Sequence, residues 1–454
     1  MAELARETKP FEGEVPDSAV FPAGSLAAGG WPAHRPSRIR GQSSTGPEVR
    51  VLSVFGTRPE AIKLAPVIAE LRRRKGIVSQ VCVTGQHREM LDQVLGLFGI
   101  TPDYDLNLMQ RNQTLARVAA SVLEGLEPIL DSARPDWVLV QGDTTTAAIA
   151  ALAAFYAHAR VGHVEAGLRS HDKWHPFPEE VNRRVAGAVA DLHFAPTAGS
   201  RRNLLLEGVP ASQVLVTGNT VIDALHSVQS QPWDLQSLGA AGRLLDSPQA
   251  KLMLVTAHRR ENFGEPIIRI CTALRELAER YGDGIRLLYP VHRNPNIWEP
   301  VHRLLGGIPN VILTPPLEYL PLVHLMKRSY LVLTDSGGIQ EEAPALGVPT
   351  LVLREVTERP EAVAAGNVRL VGTDPQRIVS EAARLLDHPR EHRLMAQAAS
   401  PYGDGRAAER IVSALQGKAF TEFQSVAAAD YVPRNYGFER QKSRSEWSTA
   451  HLSF

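Results

Sequence analysis

From residue 49 to about 416 the chain alternates two patterns. Short apolar, β-branched runs are followed by stretches whose apolar residues recur at helical spacing. In the first half the runs predict strands at 49–55, 78–84, 137–141, 161–165, 192–195 and 214–217. Between and around them the helical spacing predicts helices at 59–74, 87–98, 114–132, 144–157, 178–190 and 199–207. A polar stretch, 229–249, interrupts the rhythm. It restarts with strands at 251–256, 285–290, 311–313, 330–334 and 350–353, and helices at 267–281, 320–328, 338–346, 375–387 and 390–398. Near-continuous apolar strands separated by helices belong to parallel sheets covered on both faces. The expected fold class is therefore α/β, with two doubly wound Rossmann-like domains facing a cleft. In such sheets ligands bind at the carboxyl ends of the strands, which is where chemistry is sought.

The two ends break the pattern. Residues 1–48 carry Pro10, Pro16, Pro22, Pro32, Pro36 and Pro47 without periodicity, a composition that buries no core and predicts a disordered extension. From 418 to 454 the chain is again aperiodic and expected to be poorly ordered, although Phe420, Phe423, Tyr431, Tyr436, Phe438 and Trp447 are able to dock on a surface. A length of 454 residues exceeds one ordinary core and favours two domains. We expect an N-terminal domain at 49–219 and a C-terminal one at 220–400. Lys+Arg and Asp+Glu both number 49, so charge argues for neither a nucleic-acid nor a membrane partner. No apolar run approaches the roughly 18 residues that span a bilayer. The two cysteines, Cys82 and Cys271, sit among apolar residues and suit buried thiols of a reducing compartment, so the expected location is cytoplasmic.

The strand ends hold the candidate chemistry. The first strand runs into Gly56-Thr57-Arg58-Pro59-Glu60, where Gly56 permits a tight turn and Arg58 stands at a helix mouth, a combination that favours phosphate. Lys63 lies one turn on and can face the same way, although a surface ion-pair helix accounts for this segment equally well. The dinucleotide and NTPase glycine fingerprints are missing. Asp143 directly follows a strand and precedes a helix, a place suited to a helix cap, to catalysis, or to both. Glu165 ends the next strand among apolar residues, where burial is expected to raise its pKa and suit it to acid/base work. Glu179 follows Pro176-Phe177-Pro178 at a helix start. Alone it would be a first-turn acid, but three acids at one sheet edge favour catalysis.

In the second half His258 stands beside Arg259 and Arg260 at a strand end, as an anion-site group would, and His292-Arg293 repeats that logic. Ser336-Gly337-Gly338 offers bare backbone N–H groups to a pyrophosphate, and Glu342 lies one turn down the same face, able to accept from ribose hydroxyls. Arg359 opens another helix at this edge and adds a cation. Histidine and cysteine spacing supports no metal site, and no nucleophile elbow occurs.

These motifs have a known order. Gly56–Glu60, Gln86-His87-Arg88-Glu89-Met90-Leu91, Gly142–Thr146, His163–Arg169, Pro178–Arg183, Gly218–Asp223, His258–Glu261 and Asp335–Pro344 together resemble the bacterial non-hydrolysing UDP-N-acetylglucosamine 2-epimerase family over roughly 49–416. The resemblance implies a glycosyltransferase-B-like fold with UDP-sugar in the interdomain cleft and a last helix, within 401–417, crossing back onto the first domain. It implies interconversion of UDP-N-acetylglucosamine and UDP-N-acetylmannosamine by elimination of UDP to 2-acetamidoglucal and re-addition, with no cofactor. Asp143, Glu165 and Glu179 would be the acid/base groups, with His258 near the diphosphate. Arg58, Lys63, Ser336, Gly337, Gly338, Glu342 and Arg359 would contact UDP. A second substrate molecule would act as activator through Gln86, Arg111, Arg260 and His292, and the protein would be a homodimer. Opposite-face proton transfers fit several carboxylates, and departure of UDP fits the cations and the glycine turn. The competing readings are a hydrolysing relative, a glycosyltransferase using the same cleft, and a UDP-sugar sensor without turnover.

Overall fold

The computed structural model describes residues 48–85, 88–108 and 113–424. The expected extension before them and the tail residues 425–454 lie outside the described residues. In chain order the first half contains β1 (Val49–Phe55), α1 (Arg58–Arg73), β2 (Ile77–Val83), α2 (Arg88–Leu97), β3 (Tyr104–Asp105), α3 (Leu115–Ala133), β4 (Trp137–Gln141) and α4 (Thr145–Tyr156). It continues with β5 (Arg160–Val164), α5 (Glu179–Val189), β6 (Leu192–Ala195), α6 (Ala198–Leu206), β7 (Val214–Val216) and α7 (Thr220–Gln229). The second half begins with α8 (Ala240–Leu245), β8 (Lys251–Thr256), α9 (Glu265–Tyr281), β9 (Ile285–Pro290), α10 (Pro295–Leu305), β10 (Val311–Thr314), α11 (Tyr319–Arg328) and β11 (Leu331–Thr334). It ends with α12 (Ile339–Ala345), β12 (Thr350–Val352), α13 (Pro360–Ala365), β13 (Val368–Leu370), α14 (Pro375–Asp387), α15 (Pro389–Ala396) and α16 (Ala407–Leu415).

The strands form two sheets, ordered β3-β2-β1-β4-β5-β6-β7 and β10-β9-β8-β11-β12-β13. Every recorded pairing is parallel. The two doubly wound domains expected from the alternating pattern are therefore present. All five residues of β4 and all four of β11 are buried, because helices cover both faces of each sheet. The strand order reverses between β1 and β4 in one sheet and between β8 and β11 in the other. These switch points open crevices where helices diverge, and the loops leaving those four strands carry Arg58, Asp143, His258 and Ser336.

Several elements escaped the pattern. β3 is only two residues long, too short to show a period. α7 is capped by Asn219, which accepts from the Val221 N–H, and its apolar residues at 221, 222, 225 and 228 are buried. α10 opens on Asn294-Pro295, a cap followed by proline at the first turn, which reads as a loop until the cap is recognised. β13 has three residues. Both cysteines are buried free thiols, pushed up to about 12 by burial.

The chain crosses between the sheets at Gly218-Asn219 and again before α16. That helix places Ile411, Val412 and Leu415 in one core with Leu64, Leu71 and Leu225 of the first half. Asp223 of α7 accepts from the Ala407 and Ala408 N–H groups at its start (3.2 and 2.9 Å). Arg410 donates to the Thr217 carbonyl and pairs with Asp404. Residues 418–424, expected to be part of a poorly ordered tail, instead run along β7. The Phe423 N–H donates to the Val216 carbonyl, and the Glu422 carboxylate accepts from the Val216 N–H (2.9 and 3.1 Å).

Burial, with Asp404 nearby, raises the Asp223 pKa to about 6, against about 3.9 in an unfolded chain. The folded state thus binds more protons between those values, and this group's contribution to stability falls as pH rises from about 4 to about 6. Urea-denaturation midpoints across that window should show the decline in the wild type and a flatter profile in Asp223→Asn; identical profiles would contradict the linkage.

Candidate active site

β1 ends in the Gly56-Thr57 turn, whose two N–H groups donate to the buried Glu60 carboxylate (3.0 and 2.7 Å). Glu60 also accepts from the Thr144 hydroxyl at 2.6 Å, so one carboxylate ties the loop after β1 to the loop after β4. Arg58 starts α1 and reaches the Leu317 carbonyl of the other domain at 3.5 Å. With Gln93, Val94, Leu97, Glu318, Tyr319 and Leu320 it lines a slot between α2 and α11. Lys63, one turn further, donates to both oxygens of Glu165 (2.6 and 2.5 Å).

Glu165 follows β5 with φ +62°, a left-handed conformation that costs a residue with a Cβ about 1 kcal/mol or more. Its carboxylate also accepts from Gln141 and, at 3.2 Å, from Asn219. Burial pushes Glu165 up, but Lys63, Arg359 and these donors outweigh it and hold its pKa below the usual carboxylate range. The expectation of a raised pKa is therefore corrected. A buried acid rises only when it lacks partners, and the ammonium supplied by α1 was not visible from the β5 segment alone. Lys63, expected on UDP, is committed here to Glu165.

Asp143 follows Gly142, whose φ of +71° suits glycine and whose carbonyl contacts His163 Nε2 at 2.7 Å. It is not the cap of α4; Thr144 is, accepting from the Ala147 N–H. The Asp143 carboxylate pairs with Arg183 at 2.6 Å, and Arg183 pairs in turn with the fully buried Glu180 at 2.9 Å. Glu180 also accepts from the Ser170 and His171 N–H groups. The two adjacent acids at the start of α5 thus divide: Glu180 holds the preceding loop, while Glu179 keeps one buried carboxylate oxygen without a hydrogen-bond partner among the described residues.

Across the cleft, the fully buried Asp335 after β11 organises the loop after β8. Its Oδ2 accepts from the His258 N–H, the Arg259 N–H (2.8 Å each) and the Asn262 amide (2.9 Å). His258 Nδ1 lies 3.7 Å from Asp335 Oδ1, and its ring stacks on His292 with centroids 5.7 Å apart. Burial lowers the His258 pKa against the opposing pull of Asp335, so the ring is neutral at neutral pH. Arg260 is exposed in the short turn that follows.

The Ser336-Gly337-Gly338 turn leads into α12, which begins at Ile339. A Cβ on Gly337 would come within 2.7 Å of Arg359 Nη1, so glycine is what lets this guanidinium approach the turn. Arg359 Nε donates to Glu341 at 2.5 Å, its Nη1 pairs with Glu358, and its Nη2 stands 3.9 Å from Glu165. Glu342, proposed above for ribose, accepts from the Tyr319 hydroxyl at 2.5 Å.

Of the residues expected from sequence, Lys63, Glu165 and Arg359 meet in one buried cluster, and His258 meets His292. Gln86 and Arg111 lie outside the described residues. The expectations missed Asp335, Glu341, Asn219, Arg183 and Gln141, although the first four stand within quoted motifs. Asp335 had a usable signal, an acid wedged between an apolar strand and a glycine pair. For Glu341-Glu342 and Glu179-Glu180 adjacency alone does not tell which acid faces a partner. Among the described residues no group of three or more His, Cys, Asp or Glu side chains could hold a metal ion. The assembled groups can exchange protons through ionised carboxylates and receive an anion at Arg58, His258 and the glycine turn.

Residues 69–416 match the family model described as UDP-N-acetylglucosamine 2-epimerase. The chain is 56% identical over 371 residues to the UDP-N-acetylglucosamine 2-epimerase of Escherichia coli strain K12, covering 81% of this chain and 98% of that protein. It is similar to the crystal structure of the Neisseria meningitidis UDP-GlcNAc 2-epimerase bound to UDP-GlcNAc, at 49% identity and TM-score 0.75, covering 81% of this chain and 100% of that one. It is likewise similar to the S. aureus MnaA-UDP co-structure, at 45% identity and TM-score 0.76, covering 83% and 100% of the respective chains.

Replacing Lys63 by methionine strips the buried Glu165 of its ammonium. Stability at neutral pH should fall by about 3–5 kcal/mol, the usual cost of orphaning one member of a buried pair. The loss should shrink on acidification as Glu165 protonates. Urea denaturation measures it, and a loss below about 1 kcal/mol would place the pair in effectively solvated surroundings.

Proposed function

The chain belongs to the UDP-N-acetylglucosamine 2-epimerase family, and on that premise we propose a division of labour for the residues of its cleft. It is an isomerase acting on a carbohydrate, interconverting UDP-N-acetylglucosamine and UDP-N-acetylmannosamine without hydrolysis. In the proposed route the C2 proton passes to a carboxylate while the C1–O bond breaks, releasing UDP and leaving 2-acetamidoglucal. UDP then adds back at C1 and a proton reaches C2 from the opposite face.

The observation that carries this reading is Glu165: buried, ionised, backbone-strained and approached by cations from both domains. Because Lys63 and Arg359 hold its pKa low, Glu165 is ionised at neutral pH and able to accept a proton, with less driving force than an unpaired carboxylate. Asp143 and Glu179 are the remaining acid/base groups. Glu179's unpartnered oxygen supports that role, as does the Arg183 that aims Asp143. The departing diphosphate is taken by Arg58, His258, Arg359 and the Ser336-Gly337-Gly338 turn, with Glu342 for the ribose and Lys63 acting through Glu165. A neutral His258 can donate a hydrogen bond to the diphosphate and take up a proton as charge develops. Closure of the two domains excludes water and retains the glucal.

A second substrate molecule acts as activator at Gln86, Arg111, Arg260 and His292. The stack of His292 on His258 supports this, since it joins the proposed activator site to the catalytic one. The exposed Phe155 and Tyr156 at the end of α4 support a homodimer. No helix among the described residues is long and apolar enough to cross a membrane, and with two free thiols this supports a cytoplasmic location.

Incubation with UDP-N-acetylglucosamine in deuterated water should place deuterium at C2 of both epimers, read by proton NMR. Free N-acetylmannosamine accumulating with UDP would replace this reading with a hydrolysing one, and no exchange at C2 would leave a sensor. Asp143→Asn, Glu165→Gln and Glu179→Gln should each lose about 10²- to 10⁴-fold in rate. Conversion of UDP-N-acetylmannosamine should accelerate when a little UDP-N-acetylglucosamine is added, and His292→Ala should lose that response. Hyperbolic kinetics in both directions with no such acceleration would remove the activator site.

A further inference from the structure

Asn219 occupies the first of the two crossings between the sheets, and its side chain has no slack. Its Oδ1 accepts from the Val221 N–H at 3.1 Å, capping α7. Its Nδ2 donates to Glu165 Oε1 at 3.2 Å, in the N-terminal domain, and to Glu341 Oε2 at 2.7 Å, in the C-terminal domain. The amide cannot be turned over. Exchanging its oxygen and nitrogen would set an acceptor against two carboxylates and a donor against an N–H. Its own N–H donates to the Tyr402 carbonyl at 2.6 Å, on the return crossing. One buried amide is thus fastened to both strands of the hinge and to one carboxylate from each domain.

The geometry points to Asn219 as a positioning residue that makes the orientation of the Glu165 carboxylate depend on the closed approach of the two domains. This rests on the reading of Glu165 as a catalytic carboxylate. The reasoning is geometric. Glu165 is gripped by Lys63 from α1, Gln141 from β4 and Asn219, with Arg359 Nη2 at 3.9 Å. Lys63, Gln141 and Glu165 move together, since all belong to one sheet and its helices. Asn219, Glu341 and Arg359 are the contacts that change if the second sheet swings away. On opening, Glu341 and Arg359 withdraw with α12 and α13, and Asn219 keeps Glu165 as its one remaining side-chain acceptor. The Glu165 carboxylate then loses its guanidinium neighbour and is held by Lys63, Gln141 and an amide no longer fixed from the other side, so its plane is less tightly set. On closing, the guanidinium returns, the amide is fixed from both sides, and the carboxylate is locked. In the cluster Glu341 is the like-charged neighbour of Glu165, and Asn219 is the uncharged spacer that both carboxylates share.

This gives opposite expectations for two substitutions. Asn219→Ser keeps a good helix cap but has no amide to serve two carboxylates. It should lower the melting temperature by a few degrees, leave KM close to wild type and lower kcat about 10- to 100-fold, the scale of a misplaced catalytic group. Losing a donor to the charged form should also move the acid limb of the pH–rate profile upward. Glu341→Gln removes the like charge and should move that limb downward. A purely structural role for Asn219 would lower stability alone and leave both kcat and the limb in place. Steady-state kinetics of both full-length variants from pH 3 to 9, alongside Glu165→Gln, make the test. Limbs displaced in opposite directions, with kcat carrying the loss in Asn219→Ser, support the assignment. Asn219→Ser with wild-type kcat and acid limb, beside an inactive Glu165→Gln, overturns it. An active Glu165→Gln would instead overturn the reading of Glu165 itself.

Discussion

The rest of the site depends on one buried chain of charge, Lys63–Glu165–Asn219–Glu341–Arg359, which begins on α1 of one domain and ends before α13 of the other. Two carboxylates, two cations and one amide stand in direct sequence, and Glu358 adds a further carboxylate to Arg359. Mutual pairing is what allows them inside, since an isolated ion there would shift its pKa and neutralise. The consequence is chemical as well as structural. Glu165 keeps its charge without water because Lys63 and Arg359 stand in for solvent. The strained backbone at Glu165, φ +62°, is held in place by the same contacts.

Around this chain the two switch points supply complementary halves. The loops after β1, β4 and β5 are tied to one another by the buried Glu60, Arg183 and Glu180, which fix the position of the candidate Asp143 and its neighbours. In the other domain Asp335 does the same for the loop bearing His258 and Arg259, by accepting their backbone N–H groups. Gly337 leaves room for Arg359 beside the turn. In the proposed assignment the acid/base groups come mainly from one sheet and the anion-binding groups mainly from the other. A nucleotide sugar, with its reactive ring at one end and its diphosphate at the other, spans such a division.

Much of this was legible in the chain. The apolar runs located most strands to within a residue, and those at 49–55, 137–141 and 251–256 match in full. The rule that ligands gather at strand ends pointed to Asp143, Glu165, His258 and the Ser336 turn, and the structure places each of them just after a strand. What escaped has a common cause. The partner that decides a residue's state lies far along the chain: Lys63 is 102 residues from Glu165, and Asn219 is 122 from Glu341. Local pattern therefore predicted burial for Glu165 and missed the cations that reverse its effect. Paired acids posed the same difficulty. At Glu179-Glu180 the catalytic candidate was chosen by motif, while the fully buried role of its neighbour appeared only once the Ser170-His171 loop was folded over it. The last described residues, 418–424, carried no period because they pair with β7 through a single stretch of backbone and one carboxylate.

The central claim is that this cleft works by breaking and remaking the bond between C1 and UDP. Positional isotope exchange addresses that bond directly. Substrate carrying ¹⁸O in the oxygen that joins C1 to the β-phosphate is incubated with the enzyme, and the label's position is followed by ³¹P NMR. Elimination frees the β-phosphate to rotate while UDP remains bound, so the label should move from bridging to non-bridging positions on the timescale of epimerisation. A label that stays in the bridge while the epimer accumulates would mean that C2 inverts with the C1–O bond intact, and would contradict the account.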